Sequence, residues 1–269
     1  MIAGFALAHV TATQAVLSVV FGAMIGLLLG LVGGGGSILT VPILVYIIGL
    51  DVPSATATSL AIVGASALAG AVPHARAGRV NLRVALFFGL CGIAGAFAGT
   101  WLNHQVSGAW ILFLFGLLML VVAGRMWFRG GGRPEAGAED EEVTLSWKVP
   151  VAGLTVGLLT GFFGVGGGFL IVPALALALG LPMAIAVGTS LAIIAINSVS
   201  GIAAHLGRGG FDLTIALLFI VGGLVGGVAG GKLAGRVAER SLAKAFALLV
   251  AAVGIYLVAR NGLVLAGMA

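Results

Sequence analysis

The chain has 269 residues, of which 61% are hydrophobic and only 8% are charged. About a quarter of the residues in a soluble domain are charged, whereas the stretches 1–50, 84–124 and 149–207 contain no Asp, Glu, Lys or Arg. This composition excludes a soluble globule. It predicts an all-α polytopic membrane protein, because about 20 apolar residues span the hydrocarbon core of a bilayer.

The net charge of +5 does not indicate a nucleic-acid partner. The thirteen basic residues lie in short loops and form no continuous basic face with interleaved aromatic residues. We interpret them as signals of membrane topology. The expected partners are therefore the lipid bilayer and a small substrate, with no nucleic acid. The sequence leaves the oligomeric state open, a homodimer being one alternative.

The first half of the chain contains four apolar stretches. The first runs from about 15 to 48 and is interrupted by Gly33 to Gly36, and helices are predicted near 54–73, 82–101 and 109–128. A run of four glycines would cost about 1 kcal/mol per residue inside a helix. The glycines therefore predict a break, with a new half-helix that begins near Ser37.

A polar segment, residues 129–148, follows the first half and contains a cluster of acidic residues after Gly-Gly-Gly-Arg-Pro. Its composition is typical of a solvated linker. Beyond it the sequence repeats itself, since Gly22 aligns with Gly153 and Arg129 with Arg260 without a gap. The predicted units are a first transmembrane repeat over 1–128, the charged linker over 129–148 and a second transmembrane repeat over 149–269.

The basic residues indicate how the two repeats are oriented. If the glycine-broken stretch crosses the membrane once, the repeats are parallel. Nine basic residues then lie on one side of the membrane and four on the other. If it returns to its own side or crosses twice, the repeats are inverted and the division is eleven against two, with Arg208 and Arg260 outside. The positive-inside rule favours the inverted arrangement. It places the linker in the cytoplasm and both termini outside.

The two glycine clusters are the strongest candidates for a functional site. A helix that begins at membrane depth exposes backbone N–H groups and a partial positive charge, which suit an anion. We predict that the two repeats supply one such terminus each, and that hydroxyl and amide side chains of the spans add hydrogen bonds. Close packing of helices is the alternative role for isolated glycines such as Gly22, Gly26, Gly92, Gly95 and Gly99. The predicted substrate-binding residues are Gly34, Gly35, Gly36, Ser37, Thr58, Ser59, Gly166, Gly167, Gly168, Thr189, Ser190 and Asn197.

Some of these polar residues have simpler interpretations. The hydroxyls could instead bond to carbonyl groups of their own helices. His74 and His205 occupy equivalent helix ends, where the simplest interpretation places them in water and the alternative is a gating or proton-relay role. Asp51 and Asp212 are predicted to be solvated turn residues. No cluster of Cys, His, Asp and Glu predicts a metal site, and no cofactor is expected.

The paired glycine-rich segments, each followed by Val-Pro, together with the duplicated Thr-Ser-Leu motif at Thr58 and Thr189, resemble the sulfite exporter TauE/SafE family of membrane permeases. The resemblance covers the chain apart from the linker and the termini. It implies movement of sulfite, organosulfonates or related anions across the bacterial inner membrane. The two copies differ where Gly168 replaces Ser37 and Ile171 replaces Thr40.

The leading functional hypothesis is a secondary transporter that exports a small sulfur-containing or related organic anion. An intramembrane hydrolase is the second hypothesis, although no Gly-x-Ser-x-Gly motif is present. A membrane scaffold or assembly protein is the third, and it does not explain why two glycine runs recur at the same place. The expected protein is not an enzyme.

Overall fold

A computed structural model describes residues 11–103, 105, 108–129, 147–163, 168–205 and 212–266. In these ranges all regular secondary structure is helical. The first half contains α1 (Ala12–Val32), α2 (Ser37–Ile43), α3 (Val52–Arg76), α4 (Leu82–Asn103) and α5 (Gly108–Arg129). The second half contains α6 (Lys148–Phe163), α7 (Gly168–Pro173), α8 (Met183–His205), α9 (Leu213–Ala234) and α10 (Glu239–Leu265).

Seven helices of the described ranges are long and apolar enough to cross a membrane, namely α1, α3, α4, α5, α8, α9 and α10. Shorter apolar helical segments cover Gly34–Ile48, Lys148–Phe163 and Gly168–Ala178. The prediction of an all-α polytopic membrane protein is therefore confirmed. The helices of the two halves also begin at aligned positions, since α3, α4 and α5 start at Val52, Leu82 and Gly108 and α8, α9 and α10 at Met183, Leu213 and Glu239.

Polar side chains define where several helices begin. Asp51 accepts a hydrogen bond from the Ser54 N–H at 3.1 Å, and Asp212 accepts one from the Ile215 N–H at 2.9 Å. Such N-caps satisfy backbone donors that a helix leaves unpaired in its first turn. The cap at Asp51, with Pro53 tolerated in the first turn, explains why α3 starts two residues before the predicted helix.

Both short helices, α2 and α7, change into a wider π-helical turn after a proline. Pro42 precedes the π turn Leu44–Ile48, and Pro173 precedes Ala174–Ala178. Proline removes an N–H and its ring crowds the carbonyl one turn earlier, so the hydrogen-bond ladder has to widen or kink. The same sequence feature thus gives the same local structure in both halves.

The segment Gly34–Ile48 runs back alongside α1. The Gln14 side-chain amide, near the start of α1, donates to the carbonyl of Ile48 at 3.2 Å. Residue 14 and residue 48 therefore lie at the same level, with the glycine break at the far end of α1. We call Gly34–Ile48 the return segment.

Glycines bring helices of opposite halves into backbone contact. The carbonyl of Phe219 on α9 occupies the space where a Cβ on Gly22 of α1 would stand, and Gly26 meets Gly223 in the same way. On α4, Gly95 lies against the backbone of Leu154 and Gly99 against that of Leu158, both on α6. The packing role predicted for these glycines is confirmed, since only a residue without a side chain allows such close approach.

Two pairs of equivalent helices pack against each other in antiparallel orientation. In α3 and α8, Gly64 faces Ser198 and Gly188 faces His74. In α5 and α10, Gly116 faces Gly254, while the Lys244 ammonium group lies 5.5 Å from the centre of the Trp127 ring. In both pairs the start of one helix contacts the end of the other.

Candidate functional site

The first glycine cluster forms a sharp break in the backbone. Helix α1 ends at Val32, and Gly33 adopts a φ of +75°, a conformation that residues with a side chain rarely adopt. Gly34, Gly35 and Gly36 form a buried 3-10 turn, and α2 begins at Ser37. The predicted new helix start at Ser37 is observed. Helix starts leave N–H groups without intrahelical acceptors.

The second glycine segment reaches the first. Gly166 and Gly167 lie outside the described residues, but Gly168 is buried at the start of α7. The carbonyl group of Gly168 occupies the space where a Cβ on Gly34 would stand. The Ser37 Oγ atom lies 2.6 Å from the corresponding Cβ position of Gly168. The structure therefore brings Gly34, Ser37 and Gly168 together at one point.

Two serines at this point bond to backbone carbonyl groups. The Ser37 hydroxyl donates to the Gly34 carbonyl at 2.7 Å, and the Ser190 hydroxyl donates to the Val187 carbonyl at 2.7 Å. Ser190 contacts the break directly, because its Oγ lies 2.7 Å from the Cβ position of Gly33. Ser59, the counterpart of Ser190, is also buried. In this arrangement the single proton of the Ser37 hydroxyl and that of the Ser190 hydroxyl are each engaged by a carbonyl group.

The two threonines of the duplicated motif reach the opposite half of the chain. Thr189 accepts a hydrogen bond from the Asn81 N–H at 3.0 Å, and Thr58 accepts one from the Asp212 N–H at 3.3 Å. Asn81 and Asp212 themselves cap α4 and α9. Thr58 and Thr189 thus hold the starts of two helices in place, a role that the sequence did not indicate.

Asn197 lies at the contact between α8 and α4. Its Oδ1 atom is 3.7 Å from the Cβ position of Gly89, and it is buried without a hydrogen-bond partner. Its counterpart in the first half, Ser66, faces Gly223 on α9, and the Ser66 Oγ is likewise unpartnered. The structure therefore places Asn197 against α4 glycines, at a position that has a polar counterpart in the other half.

His74 is buried, with only 1% of its surface exposed. Its Nε2 atom is hydrogen bonded to the Gly30 carbonyl of α1 at 3.0 Å, and its Nδ1 atom has no partner. The interpretation of His74 as a helix end in water is wrong, because α1 and the Gly188 backbone of α8 cover it. His205 is the last residue of α8, and its side chain lies outside the described residues.

One polar residue beside the break was not among the predicted substrate-binding residues. Thr40 lies one helical turn after Ser37, is fully buried, and its Oγ1 atom has no hydrogen-bond partner. Residues three apart share a helix face, and that spacing is the signal that could have identified it. A buried hydroxyl without a partner costs free energy, so Thr40 marks a place where a polar ligand would be stabilised.

Within the described residues, no group of three or more His, Cys, Asp or Glu side chains is close enough to hold a metal ion. The donors around the break are backbone N–H groups and neutral hydroxyls.

Comparison with known proteins gives the family. The model of the sulfite exporter TauE/SafE family matches residues 17–257. Two strains of Xylella fastidiosa contain relatives called "Probable membrane transporter protein" that are 38% and 39% identical, covering 89% of this chain and 93% of each relative. The "Probable membrane transporter protein YdhB" of Bacillus subtilis is 26% identical over 74% of this chain and 82% of its own length. No solved structure matches. With a match that spans almost the whole chain, this protein belongs to the TauE/SafE family of membrane transporters.

Proposed function

We propose that the protein is a secondary transporter that exports small sulfur-containing or related organic anions, such as sulfite or sulfonates. The observation that carries this proposal is the contact between Gly34 and Gly168, which joins two glycine segments of opposite halves in the protein interior. Membership in a transporter family agrees with it. Backbone donors and helix N-termini are well suited to an anion because they offer positive charge without a cation that would hold the anion too tightly.

We place the anion at the break. Backbone N–H groups of Gly34, Gly35 and Gly36 would bind it from the first half, together with the hydroxyls of Thr40 and of Ser37. The Ser37 hydroxyl would turn from the Gly34 carbonyl to donate to the anion. Ser59 would add a hydroxyl from the first half, and the second half would supply Gly166, Gly167, Gly168 and Ser190. Thr58, Thr189 and Asn197 would act indirectly in this site, because two of them secure helix starts and the third faces α4.

We further propose that the two halves cross the membrane in inverted orientation. Repeats of the same orientation would place their equivalent helices parallel, but α3 and α8 run antiparallel, as do α5 and α10. The return segment supports the same arrangement, since Ile48 comes back to the level of Gln14. The positive-inside rule then places the linker in the cytoplasm and both termini outside, in the inner membrane of a bacterium.

The membrane potential can drive export without a coupling ion. Moving one negative charge out of a cell that is negative inside releases about 2.3 kcal/mol per 100 mV. His74 would serve as a gate or proton relay, because its Nδ1 atom has no hydrogen-bond partner and its Nε2 atom is bonded to Gly30 of α1, three residues before the break at Gly33.

The hydrolase and scaffold alternatives have less support. A serine nucleophile needs a base within hydrogen-bond reach, but Ser37 and Ser190 donate to backbone carbonyls and the His74 ring bonds to Gly30. The family and the relatives are named as transporters.

The test is transport by purified protein in proteoliposomes. Vesicles loaded with sulfite or methanesulfonate are given an imposed potential of either sign, and efflux is followed. We expect a potential that is negative inside the vesicles to accelerate efflux of the anion. If anion-loaded vesicles with the protein release every tested anion no faster than anion-loaded vesicles without protein, the proposal is refuted.

Variants test the site itself. Ser37→Ala and Thr40→Val should weaken anion binding by about 1 to 3 kcal/mol, whereas Ser241→Ala on the exposed start of α10 should not.

A further inference from the structure

Two phenylalanines at equivalent positions of the halves lie beside the two glycine segments. Phe115 belongs to α5 and Phe246 to α10, and both side chains are buried. Phe246 lies next to the first break, because its Cδ2 and Cε2 atoms are 3.5 Å from the Cβ position of Gly35. Phe115 contacts the two rings that flank the second glycine segment, those of Phe163 at 5.1 Å and Phe169 at 5.0 Å. Each half thus supplies an aromatic ring beside the glycine segment of the other half.

The surroundings of the two rings differ. The Phe115 ring packs against the rings of both Phe163 and Phe169. The first half has Val32 and Ile38 at the positions equivalent to Phe163 and Phe169. Phe246 therefore faces the glycine backbone itself, with Leu249 beside it at 3.2 Å from the Cβ position of Gly35.

We propose that Phe246 determines which anions the transporter accepts, by limiting the length of the apolar group attached to the charged head. This inference rests on the proposed function, in which the head binds at Gly34 to Ser37. An organic sulfonate has an apolar tail, and that tail needs apolar surface close to the N–H groups that bind the head. The Phe246 ring fills this space and excludes long tails. Phe115 packs between Phe163 and Phe169 and contributes mainly to stability.

The experiment measures binding of a series of linear alkanesulfonates, from methane- to hexanesulfonate, to purified protein. The ratio of affinities for hexane- and methanesulfonate is the readout. In Phe246→Ala this ratio should rise by at least about tenfold, the lower end of the effect of one methylene group in an apolar pocket. Phe246→Leu should give a smaller rise, and Phe246→Trp should lower the ratio. Phe115→Ala should reduce the thermal midpoint with little change in the ratio.

Phe88 and Phe219 provide matched controls, since they are also buried and occupy equivalent positions, and their backbone atoms contact Gly153 and Gly22 at helix contacts instead of Gly35. Phe88→Leu and Phe219→Leu should leave the ratio unchanged. If the control variants changed the affinity ratio as much as Phe246→Leu does, the inference would be overturned, because a general loosening of helix packing would then explain the result. A ratio unchanged in all three Phe246 variants, with normal binding by the wild type, would overturn the inference alone. Wild-type protein that binds none of these anions would overturn the proposed function as well.

Discussion

The backbone of Gly34 lies directly against the carbonyl group of Gly168, in the middle of a contact between the two halves of the chain. Gly34→Ala would place a methyl group on that carbonyl. Because the neighbour is backbone and cannot rotate away, we expect less folded protein and a lower thermal midpoint. Gly124→Ala is the control, since no atom lies within 4 Å of its Cβ position. Alanine there should be neutral or stabilise the helix by up to about 1 kcal/mol. Equal thermal midpoints for Gly34→Ala and Gly124→Ala would contradict the contact between Gly34 and Gly168.

The two threonines of the duplicated motif should matter more for stability than for binding. Thr189→Val keeps the shape of the side chain but leaves the Asn81 N–H without its acceptor. We expect a loss of about 1 to 3 kcal/mol in unfolding free energy, and a similar loss for Thr58→Val. Anion affinity, measured below the unfolding transition, should stay close to the wild-type value. A large loss of affinity with unchanged stability would instead place the threonines in the binding site.

The inverted arrangement can be tested at two positions that are equivalent in the repeats. Gln105 and Arg236 are aligned with each other and both are exposed. In a background where Cys91 is replaced by serine, cysteines at these positions should react with an impermeant reagent from opposite sides of the membrane. Gln105→Cys should react from outside and Arg236→Cys from the cytoplasm. Reaction of both from the same side would establish parallel repeats.

Asp51 should make stability depend on pH in the acidic range. Its side chain caps α3, and the hydrogen bonds from Ser54 lower the pKa of the carboxyl group below its ordinary value of 3.8. A lowered pKa in the folded state means that the carboxylate stabilises the fold above about pH 4 and loses this effect as the pH falls further. We expect the midpoint difference between wild type and Asp51→Asn to be constant from pH 6 to 8. It should shrink below pH 4, and a difference that grew there would contradict the assigned cap.

The sequence by itself determined most of the local structure. Apolar length predicted the spans, Gly33 to Gly36 predicted the break, and the aligned halves predicted helices at equivalent places. These features depend on backbone chemistry that acts over a few residues, such as the freedom of glycine and the missing N–H of Pro42. The role of the packing glycines also followed from their isolated positions within apolar helices.

Only the tertiary structure decided which helices meet. A membrane helix is apolar on all sides, so its sequence does not reveal which face packs against protein and which against lipid. For that reason the sequence could not show that α1 pairs with α9 of the other half, or that α1 and α8 bury His74. The same limit applied to Thr58 and Thr189, whose partners lie across the repeat boundary. Local signals predicted the pieces of the site, and long-range contacts between the halves determined how those pieces face one another.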